Sequence, residues 1–384
     1  MKIKRQSNIE NILDKIPTPC YVLEEKLFEQ NLKLLKYVKE QSGAKILLAL
    51  KGYSFYESFD MAREYLDGCC CSGLYEARLA NEEFKKEIHT YSPAFKDDVI
   101  DEIIDISHHI TFNSFSQYTR YKKRLKGKAV SPGIRVNPQL SFSEATIYNP
   151  CAINSRLGVT IIEFKEELLE GIQGLHFHAL CEQNAGALEA VLGSFEEKFG
   201  KYIHRMKWIN FGGGHHITRD DYDVKKLIKI IRDFKKRYND IEVYLEPGEA
   251  VGWQSGVLVA SVVDKVHNGM DIAILDTSAE AHMPDTIIMP YRAEVRNAGK
   301  EGEKKFTIKL GGNTCLAGDF MGNYSFDKPL EVGDKVIFED QMHYTIVKNT
   351  TFNGVRLPSL GILRKDGSFE VVKSFDYNDY KRRI

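Results

Sequence analysis

Eight short apolar or β-branched runs recur between residues 44 and 246, each followed by helical periodicity or by turn residues. They span 45–50, 67–72, 87–91, 108–112, 133–137, 174–178, 207–211 and 242–246. Amphipathic segments at 56–66, 74–84, 116–125, 187–203 and 222–238 lie between them. Eight strands alternating with helices close a parallel sheet on itself, so the expected fold class is α/β, a (β/α)8 TIM-like barrel over residues 24–252. Beyond Gly252 the texture changes to short alternating strands at 256–266, 271–275, 305–309, 334–339 and 368–373, separated by Gly, Asn and Asp turns. Residues 253–384 are therefore expected to form a mostly β domain, joined by a strand at 18–23 within the N-terminal segment 1–23.

Lys+Arg 53 against Asp+Glu 54 leaves a formal net charge of -1, so no global basic field recruits nucleic acid or an anionic membrane. No stretch approaches the roughly 20 apolar residues that a membrane span needs, and the first ten residues lack the apolar core of a secretion signal. A cytoplasmic protein is expected. The seven cysteines include the run Cys69-Cys70-Cys71, whose neighbours cannot easily bridge one another, so reduced thiols are expected.

Parallel barrels carry their reactive groups just past the C-terminal ends of the strands. Lys51 follows the apolar run Ile46-Leu47-Leu48-Ala49-Leu50 and would project into the barrel mouth, where desolvation makes an amine nucleophilic toward a carbonyl. A lysine capping a strand in solvent is the plainer alternative. Phe211-Gly212-Gly213-Gly214 ends the seventh run, and backbone N–H groups without side chains can approach a phosphate there, although a tight strand-to-helix turn would use the same glycines. His176 and His178 lie two apart, on one face of a strand. With His215 and His216 they permit a metal site, while His178 suits stacking on a flat cofactor equally well. Glu246 ends the eighth run and could hold a proton on a ring nitrogen.

An amine, a glycine turn for phosphate and a carboxylate for a ring nitrogen are together what pyridoxal 5'-phosphate catalysis needs. An acid at the ring nitrogen keeps the ring cationic, which favours decarboxylation over racemisation. The chain resembles the barrel-type pyridoxal-phosphate decarboxylases, which act on diaminopimelate, arginine and ornithine, and more distantly alanine racemase. The resemblance is carried by Pro17-Thr18-Pro19-Cys20-Tyr21-Val22, Leu48-Ala49-Leu50-Lys51, Asn154-Ser155-Arg156-Leu157-Gly158, Gly174-Leu175-His176-Phe177-His178, Phe211-Gly212-Gly213-Gly214, Glu246-Pro247-Gly248, the segment 311–319 with Cys315, and Tyr344-Thr345 with Phe352-Asn353-Gly354. It implies that Lys51 carries the cofactor, His178 stacks on its ring, Glu246 meets its nitrogen, and Gly213, Gly214 and Tyr344 contact its phosphate. It further implies a homodimer with shared active sites, Cys315 coming from the second subunit to help deliver a proton.

Two departures remove positive charge: the arginine usual after Glu-Pro-Gly is Glu249, and the arginine usual in the loop after Asp276 is Met283, with Asp285 close behind. Acidic groups there suit a substrate whose far end is cationic, such as a carboxylated polyamine. Leu180-Cys181-Glu182-Gln183, Glu246-Pro247-Gly248-Glu249 and the segment 312–319 look most like the branch of the family acting on carboxynorspermidine or carboxyspermidine. Glu249, Asp276, Asp285 and Asp319 are the substrate-side candidates, and no metal is expected. A diaminopimelate decarboxylase, a metal-dependent barrel hydrolase and a noncatalytic pyridoxal-phosphate-binding barrel are the competing readings.

Overall fold

The computed structural model describes residues 5–143 and 146–384, so the first four residues of the expected N-terminal segment lie outside the described part. Strand β1 (Cys20–Glu24) comes first. Then follow β2 (Lys45–Ala49), β3 (Gly68–Cys71), β4 (Glu87–Tyr91), β5 (His109–Phe112), β6 (Ser131–Arg135), β7 (Gly174–His176), β8 (Trp208–Asn210) and β9 (Glu242–Leu245). These last eight are the barrel: each pairs in parallel with the next, and β9 returns to β2 through Lys45–Tyr244 and Ile46–Leu245. Every one of them falls on a run anticipated from sequence, except that β6 starts two residues earlier.

The surrounding helices face the barrel with the stripe their spacing dictates. Helix Ala185–Ile203 is capped by Asn184 and buries Leu188, Val191, Leu192, Phe195, Phe199 and Tyr202, the positions three and four apart that share one side. Helix Val224–Arg237 starts where the Asp223 carboxylate accepts the Lys226 N–H at 2.9 Å, and its last turn carries Lys235, Lys236 and Arg237, opposite in sign to the carbonyl end of the helix. The segment 74–84 is not one regular helix: an α-helical piece, Leu74–Leu79, widens into a π turn at Ala80–Phe84.

One large side chain sets the lower barrel interior. The Trp208 indole from β8 fills space that β6 and β7 leave by carrying glycine: a Cβ on Gly133 would lie 2.3 Å from the ring, and one on Gly174 only 2.1 Å. The indole N–H donates to Ser131 Oγ at 2.9 Å, and the His109 ring stacks on it with centroids 4.6 Å apart.

Among the described residues the chain divides into two compact units, Asn31–Val251 with the barrel, and residues 5–30 with Gly252–Ile384. The second unit contains β10 (Gly256–His267), β11 (Asp271–Leu275), β12 (Phe306–Gly311), β13 (Phe320–Phe326), β14 (Lys335–Glu339), β15 (Ser359–Leu363) and β16 (Phe369–Lys373). Their order is β13-β12-β11-β10-β1-β15-β16, with β14 also paired to β10. Strand β1 is thus an interior strand, antiparallel to β10 and parallel to β15, and all five of its residues are buried. Two strands escaped the sequence pattern for local reasons. Gly322 and Asn323 dilute the alternation of β13, and β15 is a five-residue run interrupted by Gly361.

Replacing Gly174 with Ala drives a methyl into the Trp208 ring and should destabilise the chain by about 1–3 kcal/mol. A lower urea midpoint at unchanged slope is the expected reading; an unaltered midpoint would show that the indole does not set the barrel interior.

Candidate active site

Strands β2, β7 and β9 end before Lys51, His178 and Glu246, so these residues stand in the turns at the C-terminal mouth. Lys51 lies in the turn after β2, where the Gly52 and Tyr53 N–H groups both return to the Ala49 carbonyl at 3.1 and 3.2 Å. Its side chain is reachable by solvent while Leu47, Leu48, Ala49 and Leu50 before it are fully buried, as suits the floor of a recess. Dense protein surroundings hold the Lys51 ammonium below the ordinary lysine range; Arg135 reinforces this, and Cys70 and Glu246 oppose it.

Glu246 follows β9 and is almost wholly buried. Asn210 Nδ2 donates to its Oε1 at 2.6 Å, and His176 Nε2 stands 3.4 Å from Oε2. Burial raises such a carboxyl, yet His176 and the Asn210 amide reverse this and hold it at about 2. Burial in turn depresses His176, so at neutral pH the pair carries one negative charge, on Glu246.

Strand β7 stops at His176, and His178 stands beyond it rather than in the same strand as expected. The last rung is Phe177 N–H to the Asn210 carbonyl at 2.9 Å, after which the chain turns away over Gly212. A Cβ on Gly212 would lie 2.6 Å from the Phe177 carbonyl and 2.7 Å from His178 Cβ. Gly213 donates its N–H to His178 Nδ1 at 2.8 Å, which leaves Nε2 to carry the proton of the neutral ring. Burial, with Lys51 and Arg135 adding to it, holds His178 well below the usual histidine range. Gly213 therefore orients the imidazole with its amide, and a Cβ there would lie 2.3 Å from the Glu246 carbonyl. Gly214 has φ +80° and passes so close to the Leu180 carbonyl that a Cβ would lie 2.1 Å from it.

In the barrel unit Lys51, Glu246, His178 and the glycine turn thus come together. Asn210, Arg135 and Tyr91 belong with them and were not singled out from sequence. The available signal was a polar residue closing an apolar strand, which Asn210 and Arg135 both are. Glu249 opens the short helix Glu249–Gly252 and faces His216, with Nε2 to Oε1 at 3.5 Å.

In the sheet unit Cys315 is exposed, and its N–H donates to Asn353 Oδ1 at 2.7 Å. Tyr344 is half-buried with φ +34°. Asp276 accepts the Ser261 N–H at 2.8 Å. Two of the expected substrate contacts, Asp319 and Asp285, are already engaged by neighbouring groups. Asp319 is buried, one oxygen taking Ser278 Oγ and the Ala279 and Glu280 N–H groups and the other taking the Thr314 N–H and hydroxyl, so it braces the loop bearing Cys315. Asp285 receives Lys348 Nζ on both oxygens at 2.7 Å, which already neutralises the charge a cationic substrate would seek.

The hydrolase reading needs histidines that converge on an ion. Among the described residues the three-donor groups are instead Glu87–His89–His109 and Glu182–His216–Glu249. In the first, the two imidazoles stack at 3.9 Å and 22°, so an ion shared between them would lie out of both ring planes, and Lys45 already pairs with Glu87 at 3.0 Å.

The donor set fits pyridoxal phosphate: an amine held below its usual range, an ionised buried carboxylate, an oriented neutral imidazole and a turn too tight for side chains. The Glu246 carboxyl stands at about 2 against an ordinary 4.5, so its ionisation favours the folded chain above about 4.5, and that contribution fades as the pH falls toward 2. Glu246→Gln should accordingly flatten the fall of the cofactor-free chain's urea midpoint across that interval; an unchanged acid slope would contradict this placement.

The family model for pyridoxal-dependent decarboxylases, described by their C-terminal sheet domain, matches residues 20–341. A carboxynorspermidine/carboxyspermidine decarboxylase of Campylobacter jejuni is 55% identical over 381 residues, covering 96% of this chain and 99% of that protein. A carboxyaminopropylagmatine decarboxylase of Synechocystis is 45% identical over 373 residues, covering 97% and 96%. The crystal structure of carboxynorspermidine decarboxylase complexed with norspermidine, also from Campylobacter jejuni, superposes with a TM-score of 0.90 at 54% identity, covering 96% of this chain and 100% of that one. Kinship over nearly the whole length thus agrees with the closed barrel and its buried acid, and the chain belongs to the pyridoxal-dependent decarboxylase family.

Proposed function

We propose that this chain binds pyridoxal phosphate at Lys51 and removes the α-carboxylate of carboxynorspermidine or carboxyspermidine, giving norspermidine or spermidine for polyamine biosynthesis. The observation that carries the cofactor reading is geometric: the turn bearing Lys51 packs on Gly248, and the buried Glu246, tied to Asn210, lies against the Gly213 backbone that orients His178. The substrate reading is supported by what the Campylobacter relatives are named for and bind, and by Glu249 and Met283 at positions where the diaminopimelate-type pattern has arginine.

Bound pyridoxal phosphate supplies an electron sink for the pair left behind when the carboxylate departs as carbon dioxide. Lys51 is the residue that would hold the aldehyde of the cofactor through its amine until a substrate amine takes its place. Glu246, fixed by Asn210, would hold the ring nitrogen with its negative charge and keep a proton there. His178, oriented by the Gly213 N–H, would hold the ring by stacking. The Gly214 backbone and Tyr344 are assigned to the phosphate, and Gly213 acts through His178. Glu249 and Asp276 remain the candidates for the cationic end of the substrate. Cys315, on its braced loop, is assigned to reprotonation in the active site of a second copy, in a cytoplasmic homodimer with shared sites.

Carbon dioxide release from carboxynorspermidine, carboxyspermidine, carboxyaminopropylagmatine, diaminopimelate and ornithine, each supplied separately, tests the assignment. The first two should be consumed fastest. Preference for carboxyaminopropylagmatine would move the substrate toward that of the Synechocystis relative, and preference for diaminopimelate would overturn the polyamine reading. Glu246→Gln should lower kcat by about a hundredfold or more. Glu249→Gln should raise KM for the polyamine substrate about tenfold at unchanged cofactor absorbance; an unaffected KM would remove Glu249 from the substrate site.

A further inference from the structure

Cys315 stands on a loop that is closed across its base. The Gly312 N–H donates to the Asp319 carbonyl at 2.8 Å, the Asp319 N–H to the Leu316 carbonyl at 3.0 Å, and the Thr314 hydroxyl to Asp319 Oδ2 at 2.6 Å. None of these bonds uses the Cys315 N–H, which donates instead to the side-chain oxygen of Asn353, 38 residues further on, at 2.7 Å. Asn353 sits in a tight turn, with the Gly354 N–H on the Thr351 carbonyl at 3.0 Å and the Val355 N–H on the Phe352 carbonyl at 3.1 Å. Its own backbone is left-handed, at φ +56° and ψ 14°. That turn and the Cys315 loop share one support, the helix Ala279–His282: the Ala279 and Glu280 N–H groups donate to Asp319, and the Ala281 carbonyl accepts the Thr350 N–H at 2.9 Å. Three segments far apart in sequence thus meet around Cys315, and Asn353 makes the closing bond. The position demands both a left-handed backbone and an acceptor one bond beyond Cβ. Asparagine and aspartate supply both, because their short polar side chains tolerate that backbone region. Glycine supplies only the first, and glutamine only an acceptor placed one carbon too far.

We propose that Asn353 is a positioning residue of the decarboxylation, pinning the Cys315 backbone so that the thiol reaches the reacting carbon from one side. The inference rests on the assignment of Cys315 to reprotonation and is independent of which amino acid is decarboxylated. In that step the S–H bond breaks and its proton joins the carbon that lost carbon dioxide, where the electron pair left by the carboxylate forms the new C–H bond; solvent then returns a proton to the thiolate. Asn353 acts through the loop, without giving or taking the proton itself. A thiol displaced by about 1 Å is a much slower donor, because proton transfer depends steeply on distance and angle. Asp319 fixes the shape of the loop and Asn353 its orientation against the neighbouring turn, so the two side chains divide the task.

Two variants separate the demands on this position: Asn353→Gly keeps the left-handed turn and removes the acceptor, whereas Asn353→Asp keeps both. In the full-length chain freed of cofactor, the Cys315 amide should exchange its hydrogen about threefold or more faster in Asn353→Gly, and no faster than wild type in Asn353→Asp. The holoenzyme is then supplied in deuterated water with the amino acid it decarboxylates. Asn353→Gly should lower kcat about tenfold at unchanged KM, and the deuterium gained by the product should appear in both configurations rather than one; Asn353→Asp should restore both properties. Faster amide exchange combined with wild-type kcat and a single configuration would show a merely structural bond and overturn the proposal, as would unaltered exchange. Cys315→Ala, run alongside, separates the inference from its premise. If that variant leaves kcat and configuration unchanged, the reprotonation assignment fails and this proposal with it; if it mixes the configurations while Asn353→Gly does not, only this proposal fails.

Discussion

An amine is a nucleophile only when it has given up its proton, and a lysine does so more readily where protein replaces part of the water around its charge. The closed barrel provides that place. Lys51 stands at the end of a strand whose preceding residues are sealed in the core, and its side chain enters a recess ringed by other strand ends. The acid in that recess makes the opposite compromise: Glu246 is buried yet stays ionised, because an amide donor and a facing imidazole stabilise its charge. A depressed amine and a retained carboxylate in one cavity are opposed requirements, and the surroundings of each side chain meet them separately.

Backbone proximity holds this arrangement together. The glycine turn after β8 lies against the His178 segment on one side and the Glu246 carbonyl on the other, closer than any Cβ would allow. Asn210 ties the same pieces by donating to Glu246 and accepting the Gly212 N–H at 2.8 Å. Orientation of the imidazole, position of the acid and conformation of the turn therefore depend on one another. In the sheet unit Asp319 has the corresponding role, gathering five donors to brace the loop that displays Cys315.

The barrel was legible because its signal is periodic: strand spacing and helix stripes survive averaging over many residues, and all eight strands fall where apolar runs lie. Lys51, Glu246 and the glycine turn were legible for a related reason, since each breaks an apolar run at a strand end. What was not legible depends on partners far away in sequence. Nothing near Asp285 announces Lys348, and nothing near Asp319 shows that Ser278, Ala279 and Glu280 will turn toward it. Arg135 was passed over because an arginine ending a strand looks like any solvated cation until the Tyr91 ring and the His178 carbonyl are seen around it.

The account stands on the Lys51 amine as the point of cofactor attachment. Borohydride reduction of the chain loaded with pyridoxal phosphate, followed by digestion and mass spectrometry, tests this most directly. The account predicts one stable pyridoxyl adduct, on Lys51; an adduct confined to another lysine, or none at all, would contradict it.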